Sequence, residues 1–335
     1  MINKLLVGAT LKAFEDILTA EGVPFSVRDD EETRLFRKHY DGSADKDLAY
    51  RQAKPAVARI ISKEPYIFEK DGEPLVIRLN FLTREFKRDS FGELMIERPD
   101  LDWRFSISIK SDANVLSTVP IADRDIDTID GREVNVVNEI DDFGDRIFGV
   151  PCSNEYFDDV NDILMKIHPL DRTTWGEKLS DEKFAYDKII TPMLKAIGAE
   201  MPRIFEYHPE GPRKLIEYFY GPIDYYFFTP IEELGVTRIG CVNSHGGLGR
   251  MPNNDNLMVP QVRFPTELLD VRFATGRLGE ISKDTIQFAF DRGWAICFKI
   301  CIEETPENGR DFALQVYLPV TPFGSYRDQV EWDKE

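Results

Sequence analysis

The sequence predicts a mixed α/β (α+β) fold, with a helix-led core over residues 1–200 and a β-rich lobe over residues 201–335. Three observations carry this prediction. Near the start, Leu6, Ala9, Ala13, Phe14, Ile17 and Leu18 recur at the spacing of one helix face. Around residue 100, two runs of β character flank a polar segment, which is how an antiparallel hairpin is written. Beyond Met201, short apolar and aromatic runs are punctuated by Gly, Pro, Asn and Asp, the pattern of a sheet.

Taken in order, the opening helix ends near Gly22 and Pro24, and a second helix runs from about Asp45 to Ser62, rich in Ala, Lys and Arg. Pro74 to Phe81 is a strand leading into the hairpin. Leu94 to Glu97 and Trp103 to Lys110 are the hairpin's arms, and Arg98 to Asp102 its turn. In the second arm Phe105, Ile107 and Ile109 alternate with Ser106, Ser108 and Lys110, so one face is apolar and the other ends in a lysine. Glu155 to Ala199 is helical, with one stripe through Tyr156, Val160, Ile163 and Leu164 and another through Phe184, Ile189, Ile190, Met193 and Leu194. Strands follow at Leu215–Tyr220, Tyr225–Phe228, Val236–Val242, Val259–Phe264, Leu268–Phe273, Thr285–Phe290, Trp294–Ile302 and Phe312–Val320. The glycine-rich segment Asn243 to Arg250 lacks the Gly-Lys-Ser/Thr ending of a phosphate-cradling loop and reads as a connection between strands.

Composition narrows the class. A chain of 335 residues with 42% hydrophobic residues can bury a large core. No apolar run approaches a membrane span, and Glu15, Asp16 and Glu21 in the first helix are unlike a signal peptide, so the expected location is the cytoplasm. Cys152, Cys241, Cys297 and Cys301 are too scattered for a disulfide scaffold and read as core thiols. The net charge of −18 counts against nucleic acid as a partner, yet much of the excess lies in one acidic run, Asp123 to Asp145, which leaves room for a basic cleft elsewhere.

The hairpin also carries candidate chemistry. An antiparallel return brings Glu93 within one or two rungs of Ser108 and Lys110, so a carboxylate meets a lysine there. That pair can hold a divalent metal and set a water against a phosphate, although an edge lysine beside a carboxylate is also ordinary in a structural hairpin.

Several motifs resemble the HaeIII-type type II restriction endonuclease family. Leu215-Ile-Glu-Tyr-Phe-Tyr-Gly-Pro-Ile-Asp-Tyr-Tyr resembles the family's L-x-x-Y-L-I-G-x-x-D-F-Y, and Asn243-Ser-His-Gly-Gly-Leu its N-x-H-G-T-L. Pro260 to Leu268 resembles the strand leading to its L-P-T-R-I, and Phe290 to Ile300 its D-N-G-W-x-x-S-x-R-I-H. Asp142 to Ser153 resembles D-F-G-x-x-W-F-G-I-P-C-S. The family's catalytic centre, G-D-V-R-D-I-x-I followed by W-E-I-G-x-S-x-K, falls on the hairpin. Glu93 stands for its second aspartate, and Trp103, Ser108 and Lys110 match directly. Ser90 replaces the first aspartate, Arg104 the glutamate, and Ser111-Asp112-Ala113 the H-N-H. Pro99-Asp100 is not the first half of a PD-(D/E)xK signature, because it sits in the turn, roughly 30 Å along the strand from Lys110.

The resemblance implies a PD-(D/E)xK-like restriction endonuclease core that cleaves double-stranded DNA with Mg²⁺ as a homodimer, in bacterial or phage defence. Glu93, Lys110 and Ser108 are then the catalytic candidates; Glu93, Asp89 and Asp112 the metal candidates, with Glu139 a further substitute acid. Lys214, Arg250, Arg263 and Lys299, in or beside the matched motifs, are the DNA-binding candidates. The departures at Ser90 and Arg104 leave open a second reading, a catalytically impaired descendant that binds DNA or protein in a defence system.

Overall fold

A computed structural model describes residues 4–69, 72–79, 92–109, 115–120, 152–164, 166, 180–220, 223–252, 254–276, 279–303, 311–317, 319 and 322–333. The chain divides into two compact units, each woven from separate stretches. One comprises Met1–Asn114, Tyr220–Arg263 and Thr321–Glu335; the other Val115–Phe219 and Phe264–Val320.

The first unit is a seven-stranded mixed sheet with helices on one face. Its elements are α1 (Lys4–Ala20), β1 (Phe25–Val27), α2 (Glu31–Asp41), α3 (Lys46–Ile61), β2 (Leu75–Leu79), β3 (Leu94–Arg98) and β4 (Trp103–Ile109). In the second unit's stretch lies β5 (Val115–Pro120); the first resumes with β6 (Tyr225–Ile231), β7 (Val236–Val242), β8 (Arg250–Met251) and β9 (Asn254–Leu257), and closes with β14 (Arg327–Glu331). The sheet order is β1-β2-β3-β4-β6-β7-β14, with β2, β3 and β4 an antiparallel meander and β6 parallel to β4.

Period two decides which face is dry. Leu75, Ile77, Leu79, Leu94, Ile96, Phe105, Ile107, Ile109, Tyr226 and Phe228 share one buried cluster with Leu6, Ala9, Phe14 and Leu18 of α1 and Ala53, Val57 and Ile60 of α3. The expected helical stripe, the second helix and the hairpin are all present. Along this face Tyr66, Trp103, Phe105 and Tyr226 form a chain of ring contacts at centroid separations of 5.7, 5.3 and 5.6 Å.

Arg98, expected in the turn, is instead the last residue of β3 and is 1% exposed. Its guanidinium donates to the carbonyls of Tyr66 (2.7 Å), Glu73 (2.8 Å), Ile67 (2.9 Å) and Glu69. One planar fork thus satisfies four backbone acceptors that would otherwise need water. Burial pushes its pKa down, and the chain carbonyls offset that cost. The turn itself is a single 3₁₀ turn, Pro99–Leu101, closed by Asp102 in the left-handed region at φ 46°.

The second unit holds an antiparallel sheet in the order β10-β11-β12-β13-β5, where β10 is Leu268–Thr275, β11 Ile281–Phe290, β12 Ala295–Glu303 and β13 Asp311–Tyr317. Its helices are α4 (Asn154–Leu164), α5 (Thr191–Tyr207) and α6 (Gly211–Tyr220). A division at residue 200 falls inside α5, and the β-rich text after it is shared between the two units.

Two expected strands are absent. Leu215 to Tyr220 is the second half of α6, because Leu215, Ile216 and Phe219 bury one helical face and Arg213 pairs with Glu217 one turn on at 2.8 Å. Val259 to Phe264 forms no strand; Pro260 and Pro265 cannot donate to a ladder, and the segment is tied instead by Val262 N–H to the Asn243 carbonyl at 2.9 Å. Conversely, β5 was not expected. Cys152, Cys241 and Cys297 are buried and none of the four cysteines is in a disulfide, and burial pushes the Cys297 thiol up to about 12. Among the described residues no helix is long and apolar enough to cross a membrane. The acidic run Asp123 to Asp145 lies outside the described residues.

Glu64, between α3 and the 3₁₀ turn Pro65–Phe68, is wholly enclosed. Its Oε1 accepts from the Tyr226 hydroxyl at 2.6 Å and from Gly249 N–H at 2.9 Å, while Oε2 has no partner. Burial lifts its pKa to about 8, so the carboxyl is neutral through most of the neutral range.

Two predictions follow from these buried polar groups. Arg98→Met leaves four enclosed carbonyls short of a donor and should cost about 3 kcal/mol or more, read as a lowered urea midpoint at unchanged m. A cost below about 1 kcal/mol would mean the guanidinium's desolvation cancels its bonds. For Glu64 the folded pKa of about 8 lies above the ordinary 4.5, so the native state holds the proton more tightly than the unfolded chain. The stability it contributes is full below the ordinary value and is lost as pH rises toward the folded one. Glu64→Gln should therefore gain stability over the natural protein by about 1.4 kcal/mol per pH unit across that window, and stay level above it. Parallel stability profiles for the two proteins from pH 4 to 9 would refute the neutral carboxyl.

Candidate active site

The site is built where β3 begins and β4 ends. Gly92 makes the approach possible: a Cβ there would lie 2.6 Å from the Ile107 nitrogen, so only glycine lets the chain run this close to β4. The register Leu94↔Ile107 then places Glu93 opposite Ser108, as the hairpin pattern predicts. Both are nearly enclosed, at 5% and 6% exposure. Glu93 Oε2 accepts the Ile109 N–H at 2.6 Å, which holds the carboxylate across the end of β4.

Lys110, Asp89, Ser90, Asp112 and Glu139 lie outside the described residues, so the other half of the expected constellation is not placed. Asp100 is at the opposite end of the hairpin, where its Oδ2 accepts from Glu73 N–H at 3.2 Å. Arg104 is exposed and stands opposite Glu97, which is 3.5 Å from Arg78. Although Arg104 shares strand parity with Ser108, four residues separate them, roughly 13 Å along the strand. The cation therefore stands opposite Glu97, four rungs beyond Glu93, with Arg78 diagonal to Glu97 on the neighbouring strand.

The donor set suits a hard cation. Glu93 offers a carboxylate and Ser108 a hydroxyl, and Mg²⁺ is often held by one or two carboxylates together with waters and substrate phosphate. Among the described residues no cluster of three His, Cys, Asp or Glu forms a ready-made cage.

A second structured feature was not legible as a device in the sequence. Asp224, 2% exposed at the start of β6, accepts from the N–H groups of Ser244 (2.6 Å), His245 (2.9 Å) and Gly247 (2.7 Å), and from the Ser244 hydroxyl (3.2 Å). Asn243 braces the same loop: its Nδ2 donates to the Leu248 and Val259 carbonyls, and its Oδ1 accepts from Leu248 N–H. Gly249, whose N–H reaches Glu64, adopts φ 66°, and a Cβ there would sit 2.6 Å from the Val259 nitrogen. Two buried carboxyls thus hold one loop. The signal was present in the sequence as an aspartate after Gly-Pro-Ile and an asparagine before Ser-His-Gly-Gly, but no local pattern says that they meet.

The DNA-binding candidates fall in both units. Arg250, at β8, and Arg263 are exposed residues of the first unit. Lys214 on α6 and Lys299 on β12 belong to the second, where Lys299 lies 3.7 Å from the Asp284 carboxylate.

Comparison with known proteins covers most of this architecture. The HaeIII restriction endonuclease family matches residues 25–308. The type II restriction enzyme HaeIII of Haemophilus aegyptius is 24% identical over 267 residues, 76% of this chain and 74% of the relative. No solved structure matches the chain. With its β2–β4 meander, the Glu93–Ser108 rung and the Asp224-held loop all inside the matched span, the protein belongs to the HaeIII restriction endonuclease family.

Proposed function

We propose that this protein is a type II restriction endonuclease that hydrolyses double-stranded DNA at a short specific site with Mg²⁺, in bacterial or phage defence, and that its meander and following parallel strand are a PD-(D/E)xK-type core. One observation carries the reading: within the family match, a buried carboxylate, Glu93, is held by main chain beside Ser108 at the end of β4, one residue short of Lys110. A bound Mg²⁺ would supply charge neutralisation at the scissile phosphate, with Glu93 as its carboxylate ligand and Asp89 or Asp112 as further acids. Lys110 orients the attacking water and stabilises charge on the phosphate, while Ser108 fills the place beside the metal ligand. Arg250, Arg263, Lys214 and Lys299 donate to phosphates or guanine edges. Cutting both strands of a symmetric site calls for a homodimer.

The impaired-nuclease reading rests on Ser90 and Arg104, and on the acidic run Asp123 to Asp145. Two experiments decide between them. Glu93→Gln keeps the acceptor for Ile109 N–H but removes the charge, and Lys110→Ala removes the cation. Each should lower Mg²⁺-dependent cleavage of duplex DNA by roughly a hundredfold or more. DNA affinity measured in Ca²⁺ should stay within a few-fold. Absence of any cleavage by the natural protein across varied duplexes with Mg²⁺ or Mn²⁺ would leave only the binding role.

Arg104→Glu is the second. Because Arg104 lies four rungs from Glu93, the substitution should leave cleavage within a few-fold while costing about 0.5–1 kcal/mol from the new Glu97 opposition. Cleavage that arises only in Arg104→Glu would identify a disarmed enzyme.

A further inference from the structure

We propose that β10 is the surface through which two copies of this chain pair, antiparallel and edge to edge, about a two-fold axis at Val271. β10 ends the second unit's sheet, and among the described residues no strand or backbone hydrogen bond occupies its outer edge. Such an edge is a template for another strand unless it is blunted. This one is eight residues long and has neither lysine nor proline. Its pairing with β11 is irregular near both ends but unbroken from Asp270 to Phe273. Leu269 on it is 60% exposed.

The sequence of the edge says which partner fits. In a two-fold antiparallel pair, opposed side chains share a face, so the register must be centred on a residue. Centred on Val271, Asp270 of each copy faces Arg272 of the other, within the regular stretch Asp270 to Phe273. Centred one residue earlier, Asp270 would oppose itself; centred one later, Arg272 would. Like charges directly opposed are unfavourable, so only the Val271 register is self-complementary, with two Asp–Arg rungs flanking the axis. Both groups are available for it: Asp270 and Arg272 side chains are 48% and 62% exposed, and among the described residues their ion pair is the 3.5 Å contact along the same strand. Val271 itself packs near Gly198 of α5.

The proposal gives the homodimer of the preceding section a specific surface, and its test uses no DNA, so failure of one reading is distinguishable from failure of the other. Sedimentation of the full chain should show a dimer at micromolar concentration. Asp270→Arg and Arg272→Asp singly should each weaken association by at least about tenfold, since they place like charges on both rungs. The doubly exchanged protein, carrying Asp270→Arg with Arg272→Asp, should associate as the natural protein does. Circular dichroism and thermal unfolding of each variant separate lost pairing from lost folding. As a measurement independent of charge, Val271→Cys should form an intermolecular disulfide under mild oxidation, because residues on the axis face their own copies, whereas Thr275→Cys should not. A natural protein that stays monomeric, or a dimer indifferent to both single reversals and unlinked through Val271→Cys, overturns the proposal.

Discussion

The register of β3 against β4 is the constraint on which the site depends. Side chains alternate along a strand, so a slip of β4 by one residue would turn Ser108 toward the helices, expose Ile107 and Ile109 on the polar face and leave Glu93 opposite one of them. Both ends of the pairing are pinned by charged groups bound to main chain. At one end Arg98 gathers four carbonyls; at the other Glu93 accepts the Ile109 N–H. Between them, the ring contacts from Tyr66 through Trp103 and Phe105 to Tyr226 give the family's tryptophan position a packing role.

Acidic side chains divide into two kinds by what meets them. Asp224 meets a set of backbone N–H donors and holds the loop after β7 in place. Glu64 meets only a hydroxyl and one N–H inside an apolar surround, and burial keeps it protonated. Glu93 differs because one of its oxygens is committed to main chain at a strand end, one residue before Lys110.

The charge pattern follows the same logic. An overall charge of −18 would oppose a polyanion if spread evenly. Arg250 and Arg263 are nevertheless exposed, and Arg104 and Arg78 flank Glu97 on the polar face of the first sheet. Local placement of cations therefore matters more than the sum for any contact with phosphate.

The sequence by itself determined the elements whose signals are local: the stripe of α1, the span of α3, the hairpin and most strands after Tyr225, together with the family, whose motifs are contiguous. It also put Glu93 within one or two rungs of Ser108, since a tight antiparallel return leaves little choice of register, and the observed ladder made the two directly opposite. Tertiary structure decided what local pattern cannot encode. Leu215 to Tyr220 reads equally as strand or helix, and burial of Leu215, Ile216 and Phe219 on one face settled it. Arg98 reads as a turn residue until carbonyls from residues 66 to 73 converge on it. The meeting of Glu64 with Tyr226 and Gly249, each more than a hundred and sixty residues further along the chain, exists only because β6 returns beside β4. Likewise the two units interleave because the chain leaves the first sheet after β4 and comes back at β6, a path with no marker in composition.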